Sequence, residues 1–371
     1  MSVFTLEALD ANSGDALLVH YGTATNPRLM VVDGGFTATY RTRLKPRLAE
    51  LHQAAGGAAP LRIDHLVVSH LDGDHIEGVV RLFEDLDDAL ETDEAPPFTV
   101  QRLWHNSFED ALGAVAGPAG LPVPPAEIVD GAGASDAVAA SIPQARVVRD
   151  VALKLGIDGN PPFGGLVVGP QVVDLGAGLE ATVVGPDAAR LRELQVQWER
   201  DVRRRVERGE LGDAVVAAFT DTSVPNLSSI VLLLRCDART MLLTGDGRGD
   251  HTLAGLEAAG VLDAGGTLHV DVLKVPHHGS DRNVDRSYFE RITADHYVIS
   301  GNGVHDNPSA HTLQMITATQ GDRPYTIHLT YDHNVGVLTD DLAANPGRRY
   351  VVDVRTEDRP SLRIDLGDPP R

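Results

Sequence analysis

The chain is poor in several things, and each absence removes a class of explanation. It has one cysteine, Cys236, among 371 residues, so an intramolecular disulfide and a cysteine zinc knuckle are excluded, and a reducing compartment is suited. Cys236 is expected to be a small buried hydrophobe near a turn. No stretch reaches the ~18 consecutive apolar residues of a membrane span. The N-terminal "MSVFTLEALDANSGDALLVHYG" has neither a basic nor an apolar targeting region. A cytoplasmic protein with no membrane partner is therefore expected. Positive charge is also scarce, with 32 basic against 53 acidic residues and a net charge of -21. Such a molecule repels polyanions at long range, and any nucleic-acid role requires a locally positive site.

What is present is an ordinary globular composition, 42% hydrophobic and 23% charged, with an α/β pattern. "VFTLEALD" and "DALLVHYG" alternate like a hairpin, and "RLMVVDGG" reads as a third strand ending at Asp33. "RTRLKPRLAELHQA" reads as a helix and "RIDHLVVS" as a strand. Beyond it, Ile76, Val79, Val80, Phe83 and Leu86 have the spacing of a helix packed on a sheet. A second regular block comprises the hairpin "SSIVLLLRCDARTMLLTGD", turning near Asp237, and strands in "LHVDVLKVPHHGS", "HYVISGN" and "YTIHLTY". Between the blocks, residues of about 86–222 read as an irregular or helical insert within one domain spanning 1–371. The insert contains short strands in "FTVQRLW" and "LEATVVG". It also contains a helix over 187–208, with an apolar stripe of Leu191, Leu194, Trp198, Val202 and Val206, and a basic face of Arg200, Arg203, Arg204, Arg205 and Arg208. The insert could serve as a lid, a protein-partner surface or a homo-oligomer contact.

Chemistry-bearing residues gather at strand ends. "SHLDGDHIEG" places His70, Asp72, Asp74 and His75 within six positions where a strand turns into a helix. Uncompensated, such a cluster repels itself and is hard to desolvate, so a metal ion is the expected occupant. His70 and Asp72 can bind one cation, and Asp74 and His75 a second. Asp246, after "MLLTG", is the candidate bridging carboxylate. His277 or His278 would complete the second cation's shell, and His105 could complete the first. Asp33 is expected to orient a ligand histidine rather than touch metal. Lys274 and Ser280 flank the histidine pair as plausible contacts for an anionic oxygen, with a strand-edge surface position as the alternative for Lys274. His65, His269, His328 and His333 are expected to be structural.

"HLVVSHLDGDHIEG", "LLTGD" and "LKVPHHGS" together resemble the metallo-β-lactamase-fold hydrolases, with His-x-Asp-x-Asp-His in place of the family's His-x-His-x-Asp-His. More narrowly they resemble the branch related to the hydrolase domain of the competence protein ComEC. "SGDALLVHYG…VVDGG" and "NLSSIVLLL" also fit that branch, so the likeness covers roughly 1–85 and 224–335. The resemblance implies an αββα sandwich of two mixed sheets with outer helices and a site on one edge. It also implies a role in substrate contact for Asn302 or His311, although "DNPSAH" departs from the family's last loop.

Two zinc or manganese ions would lower the pKa of a shared water toward about 7 and make hydrolysis possible at neutral pH. Asp72, a hard oxygen donor where the family has nitrogen, shifts the preference toward manganese. Asp74 and Asp246 would also serve catalysis directly. A dinuclear phosphodiesterase or nuclease acting on DNA or a nucleotide is the leading expectation. The alternatives are a hydrolase of a small ester, lactone or nucleotide, and a non-catalytic binding module.

Overall fold

The computed structural model describes residues 2–92, 94–106, 144, 147–189, 191 and 229–367. Seventeen strands occur among them. β1 (Ser2–Leu9), β2 (Leu17–Thr23) and β3 (Asn26–Val32) form the antiparallel meander predicted from their alternation. The run "RIDHLVVS" is divided at Asp64 into β4 (Leu61–Ile63) and β5 (His65–Val67). Asp64 binds Arg28 and Arg62, each at 2.7 Å. β4 pairs with β6 (Phe98–Val100) in a separate ribbon, whereas β5 adds in parallel to β3. β7 (Arg102–Trp104) and β8 (Asp158–Gly159) continue that sheet. β17 (Ser361–Asp365) closes its other edge against β1.

The second sheet takes β9 (Gln171–Gly176), β10 (Leu179–Gly185), β11 (Val231–Cys236), β12 (Arg239–Leu243), β13 (Leu268–Lys274), β14 (Ile292–Ile299), β15 (Tyr325–Leu329) and β16 (Tyr350–Val354), in sequential order from one edge to the other. It is antiparallel up to β12 and parallel from there. Both sheets are therefore mixed, as expected.

Alternation along the strands decides the layers, because successive side chains leave a strand on opposite faces. Phe4, Leu6, Val19 and Met30 from the first sheet meet Ala181, Leu234, Met241 and Val272 from the second in a shared core. The out-of-phase Leu18 and Val31 pack with Leu48, Ile76, Val79 and Phe83. These come from α2 (Lys45–Ala54) and α3 (Gly73–Glu91); a short α1 (Thr37–Thr39) and a π-turn over Tyr40–Leu44 lead into α2. On the far side, Leu233, Leu242, Leu273 and Tyr297 pack with Leu256, Phe289, Leu313 and Leu338. Those residues lie on α4 (Gly249–Ala258), α5 (Arg286–Arg291), α6 (Ala310–Thr319) and α7 (Val335–Ala344). The result is the expected αββα order. Each such side chain, when fully buried, contributes roughly 1.5–3 kcal/mol of transfer free energy.

The span read as an insert is not one separate unit. β6 to β10 all come from it, and β7 to β10 are integral to the two sheets; the surrounding Ala/Gly/Pro-rich composition had hidden how much of it is sheet. Most of the helix read over 187–208, including its five arginines, lies outside the described residues. Cys236 is buried at the end of β11, beside the turn at Asp237. Among the described residues, no helix is long and apolar enough to cross a membrane.

Candidate metal centre

Strands β3, β5, β12, β13 and β14 deliver their following loops to one edge of the sandwich. After β3, "DGG" turns sharply, with Asp33 at φ 61°. Gly34 and Gly78 make that turn fit against α3, since a Cβ on Gly34 would lie 2.5 Å from the Val79 nitrogen and one on Gly78 would lie 2.0 Å from the Gly34 oxygen. Gly34 N–H donates to His75 O at 2.8 Å, and Gly78 N–H to Gly35 O at 2.7 Å. The turn thereby fixes Asp33 beside His75, with Asp33 Oδ2 and His75 Nδ1 2.8 Å apart. Ser69 donates to Asp33 through its backbone N–H (2.7 Å) and its hydroxyl (2.6 Å). Ser69 Oγ also lies 3.0 Å from His70 Nδ1.

Asp246 stands at the centre, buried after β12, and its two oxygens face two different pairs of histidines. Oδ2 lies 3.7 Å from His70 Nε2 and 3.4 Å from His277 Nε2. Oδ1 lies 3.4 Å from both His75 Nε2 and His278 Nε2. Asp72 is 3.6 Å from His70 on the first side. Asp74 is 3.9 Å from His75 and 3.8 Å from His278 on the second. The histidines at 277 and 278 have φ of 46° and 53°, consecutive left-handed conformations that L-residues hold only where the surroundings enforce them. This backbone turns one ring to each side of Asp246. Asn283 Oδ1 holds His277 Nδ1 at 2.8 Å, and Ser300 O lies 3.1 Å from His278 Nδ1.

The electrostatics are those of a site built for positive charge. Burial alone would raise the Asp246 carboxyl, but the imidazoles of His277, His278, His75 and His70 hold it well below the usual carboxylate range. Burial opposes charge on His75, yet Asp246, Asp74 and Asp33 raise it well above an ordinary histidine. Burial, reinforced by Asp246 and Asp72, pushes Asp74 up to about 6. Burial takes His278 down to about 3. Histidine protons are thus the only positive charges that the described contacts place against Asp246.

The residues fit a pair of divalent cations. His70 Nε2, Asp72 Oδ1 and Asp246 Oδ1 are buried without a hydrogen-bond partner, which is costly for groups that no ligand satisfies. Asp15, His75, Asp246 and His278 offer ligand atoms all within 4.8 Å of one another. The nitrogens of His70, His75, His277 and His278 with the carboxylates of Asp72, Asp74 and Asp246 make a mixed N/O donor set for divalent cations.

Of the residues singled out in the sequence, these seven come together, and His277 and His278 take opposite sides rather than competing for one place. His105 is buried at the end of β7. Its backbone N–H donates to Asn160 Oδ1 and its carbonyl accepts from Asn160 Nδ2, both at 2.8 Å. Lys274 is neither at a strand edge nor open to substrate. It is fully buried on central β13, with Nζ 2.9 Å from Asp15 Oδ2. Ser280 is buried in the turn after the histidines, its N–H donating to His277 O at 2.9 Å. Asn302 Oδ1 accepts from Val304 N–H at 3.1 Å, an Asx turn in its loop, and His311 is exposed at the start of α6. His65, His269, His328 and His333 hydrogen-bond to Leu175 O, Thr293, Asp353 and Asp306 respectively, away from the cluster.

Asp15 escaped the sequence reading. Its only signal was an acid following Gly14 and running directly into the apolar "ALLV", an odd place for a charge unless it is paired.

Comparison with protein-family models and with curated proteins finds no match. Among solved structures, the chain is similar to a candidate metal-dependent hydrolase from Parabacteroides distasonis ATCC 8503. The identity is 10% and the TM-score 0.34, covering 94% of this chain and 98% of that one. It is also similar to CmlA, a diiron β-hydroxylase from Streptomyces venezuelae. There the identity is 12% and the TM-score 0.40, covering 98% of this chain and 54% of that one. A variant of that hydroxylase matches at 13% identity and a TM-score of 0.39. This chain thus spans about half the length of the hydroxylase. Likenesses this distant say nothing about chemistry, which rests on the atoms of the site itself.

Proposed function

We propose that the protein is a metal-dependent hydrolase that cleaves phosphodiester bonds, with DNA or a nucleotide as its substrate class. The observation that carries the reading is the division of Asp246, one oxygen facing His70 and His277 and the other facing His75 and His278. A pair of divalent cations held there would supply an activated water and positive charge for the phosphoryl oxygens in the transition state. Asp246 holds the two sides together. Asp33 keeps Nε2 of His75 turned inward by engaging Nδ1, and Ser300 does the same for His278. Asp72 and Asp74 are the more open acids, with side chains 27% and 24% exposed. They face the side from which substrate arrives, where Asp74 can take the proton that the attacking water gives up.

The ComEC-like motifs support a phosphodiester, and the oxygen-rich donor set supports manganese beside zinc. The net charge of -21 favours a narrow site over a broad nucleic-acid surface, and it also favours a small ester as the second reading. The test is metal content of the purified protein, measured together with manganese-supplemented cleavage of linear DNA, circular DNA and bis-nitrophenyl phosphate. About two ions per chain with DNA cleavage supports the proposal. Two ions with turnover of the small ester alone moves the substrate to the second reading. No ion after reconstitution overturns the hydrolase and favours a binding module.

A further inference from the structure

Lys274 shares the inner face of β13 with Val272 and is fully buried between the sheets, its ammonium 2.9 Å from Asp15 Oδ2. Asp15 comes from the other sheet, in the connection between β1 and β2, and is itself 1% exposed. Its second oxygen accepts from the Ser300 hydroxyl at the end of β14. Ser300 in turn meets His278 Nδ1 with its carbonyl (3.1 Å) and its hydroxyl (3.3 Å). The same loop also reaches Asp74. Asp15 N–H donates to the Asp74 carbonyl at 3.2 Å, and the approach is so close that a Cβ on Gly14 would lie 1.9 Å from that carbonyl oxygen. One short loop therefore touches the backbone of one candidate ligand and, through Ser300, the ring of another, and those two ligands are carried by different sheets.

Asp15 Oδ1 accepts from Ser300, while Oδ2 makes no hydrogen bond and is held by the charge of Lys274 at 2.9 Å, so the lysine competes with any cation for this carboxylate despite its place near the cluster. Nor does stability explain the pair, because desolvating two full charges offsets most of their attraction, and apolar replacements of similar volume are often neutral or better. Fixing register between two surfaces is the best-attested use of such a pair. We propose that Asp15 and Lys274 form a buried positioning clamp that holds Asp74 and His278 in register across the sandwich, so that their ligand atoms meet on the Oδ1 side of Asp246. The clamp rests on the reading of this cluster as a metal centre. In its absence Ser300 loses its anionic partner, and the Nδ1–H tautomer of His278 loses the group that orients its acceptor.

The experiment is cobalt(II) titration of the metal-free protein, followed by the visible ligand-field bands, with melting temperature measured on the same samples. The proteins are wild type, Asp15→Ala, Lys274→Met, the double variant and Ser300→Ala. Each single change in the ion pair strands a buried charge and lowers the melting temperature. The double variant, freed of both charges, recovers it, while one of the two cobalt equivalents binds about 10–100-fold more weakly and the other is unchanged. Ser300→Ala leaves the ion pair intact, and is expected to weaken the same equivalent by a smaller factor with little change in melting. If the double variant, or Ser300→Ala should the double not fold, binds both equivalents as wild type does, the clamp is overturned and the metal reading stands. If wild type itself takes up no cobalt, the metal reading falls and the clamp with it.

Discussion

Two buried carboxylates, Glu7 on β1 and Asp246 after β12, are equally hidden, each 2% exposed, yet their surroundings differ in kind. Glu7 is complete within the protein. Arg47 reaches it at 2.8 and 3.2 Å, His20 at 3.0 Å and the Ser361 hydroxyl at 2.8 Å. Burial would raise its pKa, but His20 and Arg47 bring it down to about 2. Among the described residues, the ion-pair partners of Asp246 are imidazoles, at 3.4–3.7 Å, and Oδ1 is left without a hydrogen bond. Among the described residues, no lysine or arginine pairs with it. A fold that supplies a guanidinium for one buried acid, and only titratable rings for the other, has left the second to be balanced by something it binds. The difference teaches that a functional acid is recognised by the fixed charge it lacks.

The sharpest way to break the comparison is to remove each acid and ask what is lost. Asp246→Ala is expected to abolish stoichiometric metal binding, measured by elemental mass spectrometry, and to lower hydrolysis by about three orders of magnitude or more. If Asp246→Ala retained two ions, Asp246 would not be the bridge. Glu7→Ala should leave metal content unchanged and destabilise the fold by about 1–3 kcal/mol in urea unfolding, because it leaves the buried His20 ring and the Ser361 hydroxyl without their acceptor, whereas Arg47 is part-exposed and keeps Glu50.

The pH dependence separates the two further. The folded-state pKa of Glu7 is depressed from the model-peptide range to about 2, so its contribution is fully present above about pH 4.5 and is lost as pH falls toward 2. Urea midpoints of metal-free wild type should decline across that window more steeply than those of Glu7→Gln; equal slopes would exclude the effect.

Smaller changes test the supports of the histidines. Asp33→Asn, which weakens the partner of His75 Nδ1, should lower metal affinity about 10–100-fold in competition with a chelator. Asn283→Ala should cost only a few-fold, since its oxygen is uncharged and the His277 ring it holds is already 27% exposed. Equal losses in the two variants would mean that the charge of the support does not matter.

Much of this arrangement was legible beforehand, and the reasons are local. The alternation of β1 to β3, the apolar stripe of α3 and the hairpin at Asp237 each record a short-range pattern. So did the placement of His70, Asp72, Asp74, His75 and Asp246 at strand ends, where side chains leave the sheet without burying charge in its core. The role of Asp33 beside a histidine was also anticipated. Other features were hidden because they depend on partners far away in the chain. β17 joins β1 across more than three hundred residues, and β9 emerges from a stretch whose composition suggested loops, although its partner β10 was read as a strand. Lys274 looked like a group free to meet substrate, because nothing near it in the chain announces Asp15.

The sequence alone determined the two-sheet pattern and the supply of nitrogen and oxygen donors, since strand period, helix period and donor chemistry are properties of neighbouring residues. Only the tertiary structure decided how those donors are shared. Which histidine faces which oxygen of Asp246, that His277 and His278 take opposite sides of it, and that Lys274 is buried against Asp15 all depend on how one sheet lies on the other. That choice is made by the packing of the common core, where Leu6, Val19, Leu234 and Val272 are brought together, because only close-packed side chains from both faces set the sheets' relative placement.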